Sequence, residues 1–203
     1  IIRASGVQWM TAARGIVHAE YREREFAARG GTLHGIQLWI NLPRRFKMGE
    51  PGYQDLPTER IPQVPVERGV VRVIAGEFNG VKGAARSFTP MHVLHVKLAP
   101  GGRTEVPLPA SWNALAYAVS GSASVSGEAL GERHMAVFAG DGDSVVIESR
   151  AALDLLLLSG EPFDEPVASW GPYVMNTREE IMQAQRDYTS GRMGRLDIPS
   201  AVA

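Results

Sequence analysis

Hydrophobic and polar residues alternate along several short stretches of this chain, and glycine or proline separates the stretches. The clearest example is residues 33–43, where every second residue from His34 to Ile40 falls on one side. A period of two is typical of a β-strand, because successive side chains point to opposite faces of a sheet. Pro43 ends the pattern, since proline cannot donate a hydrogen bond to a strand ladder. We therefore predict a strand over residues 33–43.

Six further stretches predict strands of similar length. Turns such as Gly101-Gly102 and residues 140–143 separate some of them. Many short strands at this spacing predict an all-β fold, an antiparallel sandwich or barrel. The predicted strands cover residues 70–74, 92–98, 115–119, 136–138, 144–148 and 153–158.

One helix is predicted near the end of the chain. Thr177 and Glu180 have the Thr-x-x-Glu spacing of a capping box, which satisfies free backbone N–H groups at a helix start. Gly191 is suited to the left-handed position just after the last turn. Before the main run of strands, residues 49–65 hold four prolines and little periodicity, which indicates a connection between two domains.

Composition narrows the classes of partner and compartment. The 203 residues carry a formal net charge of −1 and no cysteine. The charge gives no support to direct nucleic-acid binding, and no apolar run is long enough for a membrane helix. The absence of cysteine fits a reducing compartment, so we expect a cytoplasmic protein. Because the chain opens at Ile1 with a sheet-like stretch, we also expect a segment upstream of it.

The best candidate for chemistry is the pair His18 and Glu20. In a strand, residues two apart point to the same side, so an imidazole and a carboxylate would face one metal ion. On the residues alone the pair is weak evidence, and a histidine at the rim beside a solvated glutamate is the favoured explanation. His92 and His95 are three apart, which places them on opposite faces of a strand and favours packing or surface roles.

Five blocks, in order over nearly the whole chain, resemble the pirin family: GVQWMTAARGIVHAE, GGTLHGIQLWINLP, YQDL, VIAGEFNGVKG and GEPFDEPVASWGPYVMNTREEIMQAQRDYTSGRMG. The resemblance implies a bicupin, two jelly-roll β-barrels with a C-terminal helix. On that basis residues 1–48 are the C-terminal part of the first cupin, which lacks its N-terminal part here. Residues 49–65 are the linker, 66–175 the second cupin, and 176–203 the helix and tail.

The resemblance also implies a mononuclear metal, commonly iron, bound by three histidines and a glutamate in the first cupin. The third histidine and the glutamate carry over to His18 and Glu20. The other two come from a His-Pro-His stretch, and this chain contains no His-x-His, so both are expected upstream of Ile1. Mn, Ni, Cu, Zn and Co suit the same ligand types. With two of four ligands, this chain is expected to bind iron weakly or not at all.

The second cupin is expected to be free of metal. A cupin places its metal-binding glutamate seven residues before a glycine, and counting back from Gly121 reaches Ala114. The histidine positions fall on residues that cannot bind a metal, whichever of two spacings is used: Ala110 and Leu108, or Pro109 and Pro107.

Three functions follow from the resemblance. The first is a quercetin 2,3-dioxygenase, which opens a flavonol ring with O₂ and releases carbon monoxide. Glu20 would then be a ligand or the base that takes the flavonol proton, and Gln8, Met10 and His34 would line the pocket. The second is an iron-dependent cofactor of transcription factors, with a protein partner and, in a eukaryote, a nuclear location. The third is an inactive remnant, whose incomplete barrel would self-associate.

Overall fold

The computed structural model describes residues 2–196, so the end of the predicted C-terminal tail, 197–203, lies outside the described residues. The elements in chain order are β1 Val7–Thr11, α1 Arg24–Arg29, α2 Arg44–Lys47, β2 Gly52–Leu56, a short 3-10 helix Thr58–Arg60, β3 Gln63–Ala75, β4 Glu77–Phe78, β5 Val81–Lys82, β6 Met91–Pro107, β7 Asn113–Ser120, β8 Ala123–Val125, β9 Glu128–Leu130, β10 Met135–Val137, β11 Ser144–Ser149, β12 Leu153–Gly160, β13 Ala168–Trp170, β14 Tyr173–Met175 and α3 Arg178–Thr189.

An eight-stranded antiparallel sheet forms the largest part of the fold. Its order is β10-β7-β12-β6-β11-β8-β9, with β3 added beside β6, and it curves into a nearly closed barrel. All six strands predicted between residues 70 and 158 are confirmed. Two small hairpins, β4-β5 and β13-β14, and the pair β1-β2 complete the strand pairing of residues 2–196.

The strand β6 is longer than predicted. Its first half pairs with β3 and β12, and its second half, from Arg103, pairs with β11. The turn predicted at Gly101-Gly102 is wrong, because both glycines lie within β6. Gly101 has φ +76°, a left-handed conformation that glycine adopts without strain, and the pairing with β3 shifts register across this part of the strand. One strand therefore contributes to both walls of the barrel.

Alternation along these strands builds the core. Leu155 and Leu157 of β12 are fully buried, as are Leu94 and Val96 of β6 and Ile147 of β11. Burying one such side chain stabilises the fold by roughly 1.5–3 kcal/mol. A second apolar cluster includes Leu56 and Ile61 with residues of β3 and β6. The segment 49–65, predicted as a connection, therefore contains structure and buried side chains.

The chain divides into two compact units. One contains Ile2–Trp9 and Gln54–Pro162, and the other contains Met10–Tyr53 together with the residues from Phe163 onward. The second of these holds the three α-helices. No helix within residues 2–196 is long and apolar enough to cross a membrane.

The strand predicted over residues 33–43 is wrong. This stretch has no regular secondary structure, and residues 31–40 are all exposed. An alternating sequence becomes a strand only where a neighbouring strand accepts its hydrogen bonds. Within residues 2–196 no strand pairs with this stretch. Large apolar side chains are exposed as a result, with Leu33 at 72% and Trp39 at 63%.

The helix α3 is confirmed with both of its predicted ends. The Thr177 hydroxyl accepts a hydrogen bond from the Glu180 N–H, and the Glu180 carboxylate accepts one from the Thr177 N–H. At the other end Gly191 has φ +77°, and its N–H donates to the Tyr188 carbonyl. The Arg192 N–H donates to the Asp187 carbonyl, which completes a Schellman motif.

Candidate metal site and charged clusters

His18 and Glu20 lie in an irregular segment that follows β1. Both side chains are exposed, and neither has a hydrogen bond or ion pair within residues 2–196. Burial alternates from Thr11 to His18, with odd-numbered residues half-buried and even-numbered residues exposed. The alternation reaches His18 but not Glu20, because Ala19 is exposed as well, and residues 12–20 form no strand ladder.

Three backbone hydrogen bonds hold this segment. The Arg14 N–H donates to the Gly49 carbonyl at 3.2 Å, and the Gly15 N–H closes a turn onto the Ala12 carbonyl at 2.8 Å. The Val17 N–H donates to the Met193 carbonyl at 3.1 Å. Arg14 also forms an ion pair with Glu50, whose exposed position makes its contribution small. The backbone just before His18 is thus fixed on both sides.

The proposed pocket residues have different surroundings. Gln8 and Met10 share the exposed face of β1, while Val7 and Trp9 on the other face pack against the second apolar cluster. His34 is exposed within the irregular stretch. An open cleft of about 410 Å³ borders Val17, but neither His18 nor Glu20 lines it, so we do not assign it to the substrate.

The ligand types present fit part of a metal site. A neutral imidazole and a carboxylate are suitable for Fe, Mn, Ni, Cu, Co or Zn, and both are free of competing partners. No group of three or more His, Cys, Asp or Glu side chains within residues 2–196 is arranged to hold a metal ion. This part of the chain therefore supplies at most two neighbouring ligands.

The sequence reasoning missed a charged network on the barrel sheet. Arg72 of β3 lies directly opposite His95 of β6, and Asp154 of β12, on the other flank of β6, lies opposite Lys97 and diagonal to His95. The Arg72 guanidinium contacts His95 Nδ1 at 3.0 Å, and His95 Nε2 contacts Asp154 Oδ1 at 2.5 Å. Arg72 also donates to the Ser5 carbonyl at 2.6 Å and the Thr58 hydroxyl at 3.0 Å.

The donor and acceptor types fix the protonation of this network. A guanidinium can only donate, so His95 Nδ1 accepts and the proton lies on Nε2, which donates to Asp154. Burial lowers the pKa of Arg72, and the charge of Asp154 opposes that shift. Burial of Asp154 disfavours its ionisation, but the hydrogen bond from His95, together with the charge and hydrogen bond of Lys97, outweighs it and lowers its pKa.

His92 belongs to a different environment from His95. Its Nδ1 lies 3.1 Å from the Ser159 hydroxyl, and its ring packs against Trp112 with centroids 5.1 Å apart. Burial lowers the pKa of His92, opposed by the charge of Glu77. The neutral, packed histidine agrees with the packing role that the sequence predicts.

A second polar cluster lies in the unit that contains α3. Lys47 is only 3% exposed, and its ammonium donates to Asn41 Oδ1 at 2.9 Å. Burial lowers its pKa, while the charges of Glu165 and Glu180 act in the opposite direction. The Arg44 N–H donates to Glu165 Oε2 at 2.8 Å, which ties the 41–47 segment to the C-terminal region.

The curved antiparallel sheet defines this protein as a cupin-type β-barrel protein. The Pirin C-terminal cupin domain matches residues 93–194, and the Pirin family profile matches residues 1–40. The chain belongs to the pirin family, and the fold predicted from the sequence is confirmed.

Known relatives are similar along nearly all of this chain. It is 42% identical over 201 residues to Pirin-1 of Arabidopsis thaliana, covering 95% of this chain and 67% of that protein. Human Pirin is 40% identical over 193 residues, covering 93% and 65%. The crystal structure of a quercetin 2,3-dioxygenase from Acinetobacter baumannii superposes with a TM-score of 0.91 at 35% identity, covering 95% and 68%. The chain thus spans about two thirds of the length of its relatives.

Proposed function

We propose that this chain is part of a metal-dependent dioxygenase of the quercetin 2,3-dioxygenase type, acting on a flavonol or a similar small aromatic substrate. The observation that carries the proposal is the free, exposed pair His18 and Glu20 on a segment whose backbone is tethered. The similarity to the Acinetobacter baumannii quercetin 2,3-dioxygenase supports the same reaction class.

In this proposal His18 and Glu20 are two ligands of one metal ion, which we take to be iron. When bound, the metal supplies Lewis acidity and open coordination positions. We also propose that Glu20, if its carboxylate leaves the metal, is the base that takes the proton of the flavonol hydroxyl. Met10 offers an apolar wall and Gln8 a polar contact on the exposed face of β1. His34 is proposed as a further pocket residue.

The remaining ligands, two histidines in our proposal, come from residues outside this sequence. A complete structural zinc site contributes roughly 10–16 kcal/mol of apparent binding free energy. If two of four ligands retain half of it, about 5–8 kcal/mol remains, which corresponds to dissociation constants from micromolar to above 100 μM. We therefore expect weak metal binding by the 203 residues alone.

The test is a flavonol assay on the iron-loaded protein, including any residues encoded upstream of Ile1. Loss of the quercetin absorbance band with matching O₂ uptake is expected, and His18→Ala and Glu20→Gln should reduce turnover to the protein-free rate. His134→Ala is the matched control, because that histidine is exposed in the other unit. Turnover that survives His18→Ala contradicts the proposal. Partner binding that depends on iron oxidation state, without turnover, would favour the regulatory alternative.

A further inference from the structure

We infer that Met193 and Gly15 form a clamp that positions the backbone carrying His18 and Glu20. Met193 follows α3, 175 residues after His18 and 173 after Glu20. It is therefore proposed as a positioning residue, which acts through the segment it holds and touches neither substrate nor metal. The inference rests on the proposed function, because it assigns a role relative to the proposed metal ligands.

The side chain of Met193 occupies the space directly above Gly15. A Cβ atom added to Gly15 would lie 2.5 Å from Met193 Sδ and 2.6 Å from its Cε. Real Cβ atoms do not approach this closely, so a side chain at residue 15 would displace the flexible end of Met193 from its present position. Gly15 also has φ +119°, a conformation that other residues rarely adopt. Both the space and the backbone geometry at this position therefore favour glycine.

The backbone of Met193 provides a second link. Its carbonyl accepts the hydrogen bond from the Val17 N–H, and Val17 immediately precedes His18. On the other side of Gly15, the Arg14 N–H is bound by the Gly49 carbonyl. Residues 14–17 are thus fixed from two directions. A ligand is more effective when its backbone is held before the metal arrives, because less freedom is lost on binding.

The C-terminal end of α3 determines where Met193 lies. The Schellman motif at Gly191 turns the chain back from the helix. Arg192, the residue just before Met193, forms an ion pair with Asp187. The Gly194 N–H donates to the Gly191 carbonyl at 3.1 Å and closes the next turn. The conformation of residues 191–194 is therefore set by the helix end before any contact with residues 15–17.

The test begins with the metal-free chain and follows amide hydrogen exchange at Val17 by NMR. Met193→Ala should speed exchange at Val17 by about 3- to 10-fold, the loss expected for one weakened hydrogen bond. Met193→Leu, of similar volume, should restore protection. Met182→Ala is the matched control, because Met182 is an exposed methionine on α3. Amides of Ile147 in the other unit should be unchanged in all variants.

A double-mutant cycle isolates the contact. Gly15→Ala introduces backbone strain whether or not Met193 is present, but its clash with the methionine disappears in Gly15→Ala/Met193→Ala. The double variant should therefore exchange at least about threefold more slowly than the product of the single effects predicts. Strictly multiplicative effects would overturn the clamp.

Positioning is then separated from packing with Co²⁺ alone as the probe. In the parent chain, Co²⁺ should broaden the NMR signals of His18 and Glu20. Met193→Ala should raise the Co²⁺ concentration that gives half of the broadening at least about threefold. Met193→Leu should give a value close to that of the parent. An unchanged midpoint with faster Val17 exchange overturns the positioning role and leaves a packing contact. If Co²⁺ broadens neither signal in the parent chain while the exchange results are as expected, His18 and Glu20 are not metal ligands. The positioning role is then overturned together with the proposed ligand pair.

Discussion

Replacing Asp154 with Asn tests the charged network on the barrel sheet with almost no change of shape. Asp154 accepts the hydrogen bond from His95 Nε2, and it is the negative group that compensates the buried Arg72. In Asp154→Asn the hydrogen bond can still form to the amide oxygen, but its charge is gone. The substitution therefore measures the ionic part of the network separately from its packing.

The magnitude follows from these contacts. A hydrogen bond to a charged group contributes about 1.5–3 kcal/mol and a neutral one about 0.5–1.5, so neutralisation costs about 1–1.5 kcal/mol. The neighbouring Lys97 ion pair, 3.6 Å long and partly exposed, adds at most about 1 kcal/mol. We expect a loss of about 1–2.5 kcal/mol at pH 7. With a urea dependence of about 1–3 kcal/mol per molar, the unfolding midpoint falls by about 1 M.

The pH dependence gives an independent check of the sign. The folded pKa of Asp154 lies below its usual value, so its carboxylate stabilises the fold above the unfolded pKa of about 3.9. That contribution disappears as the pH falls through the folded pKa. The difference between the native protein and Asp154→Asn should be full at pH 7 and should close below about pH 4.

The assay is urea unfolding followed by circular dichroism of the barrel sheet at several pH values. Asp141→Asn is the matched control, since Asp141 is exposed and makes no hydrogen bond or ion pair within residues 2–196; it should change stability by less than about 0.5 kcal/mol. An Asp154→Asn variant as stable as the control at pH 7 would refute the reasoning. So would a stability difference that stays constant down to pH 3.

Three further predictions concern the unit that contains α3 and the exposed apolar side chains. Thr177→Ala removes the capping hydrogen bond to Glu180 and should cost about 1 kcal/mol, seen as faster amide exchange in the first turn of α3. Lys47→Met should be neutral or stabilising in denaturant unfolding, because it removes a charge whose burial is costly, as the lowered pKa of Lys47 indicates. Since the folded pKa lies below the unfolded one, the native protein, unlike the variant, should gain stability as the pH rises towards about 10. Trp39→Ser should reduce concentration-dependent self-association in analytical ultracentrifugation more than Val137→Ser, although Val137 is at least as exposed.

Local patterns predicted the local structure well. The capping box of α3 and the glycine after it depend on residues within a few positions of each other, so the sequence contains all the information needed. The six barrel strands were predicted for the same reason. Each is a short run rich in apolar residues, some alternating with polar ones and some nearly continuous, and the buried residues meet mainly in one core.

Pairings between distant residues could not be predicted in this way. The residues of the Arg72, His95 and Asp154 network are separated by 23 and 59 positions, and only the register of three strands brings them together. The same limit explains the error over residues 33–43, whose alternation says nothing about whether a neighbouring strand is present. The contact between Gly15 and Met193 likewise depends on the packing of the C-terminal region with residues 10–53.

For the candidate site, sequence reasoning and the family resemblance supplied the residue types and the pair His18 and Glu20. The structure adds that both side chains are free and that the preceding backbone is tethered. Exposure of His34 was not anticipated, because its predicted place at the head of a strand face required a ladder that residues 2–196 do not provide.

The position of Gly101 inside the continuous strand β6 has a consequence for the design of tagged or split versions of this protein. Because β6 continues from one wall of the barrel to the other, a break or insertion at this glycine pair would separate strands that now share one backbone. A pair of glycines outside a helix is ordinarily an attractive position for inserting a reporter. Here the exposed loop at residues 140–143 is the better choice: a reporter inserted there should give a folded fusion, and one inserted at Gly101-Gly102 an unfolded one.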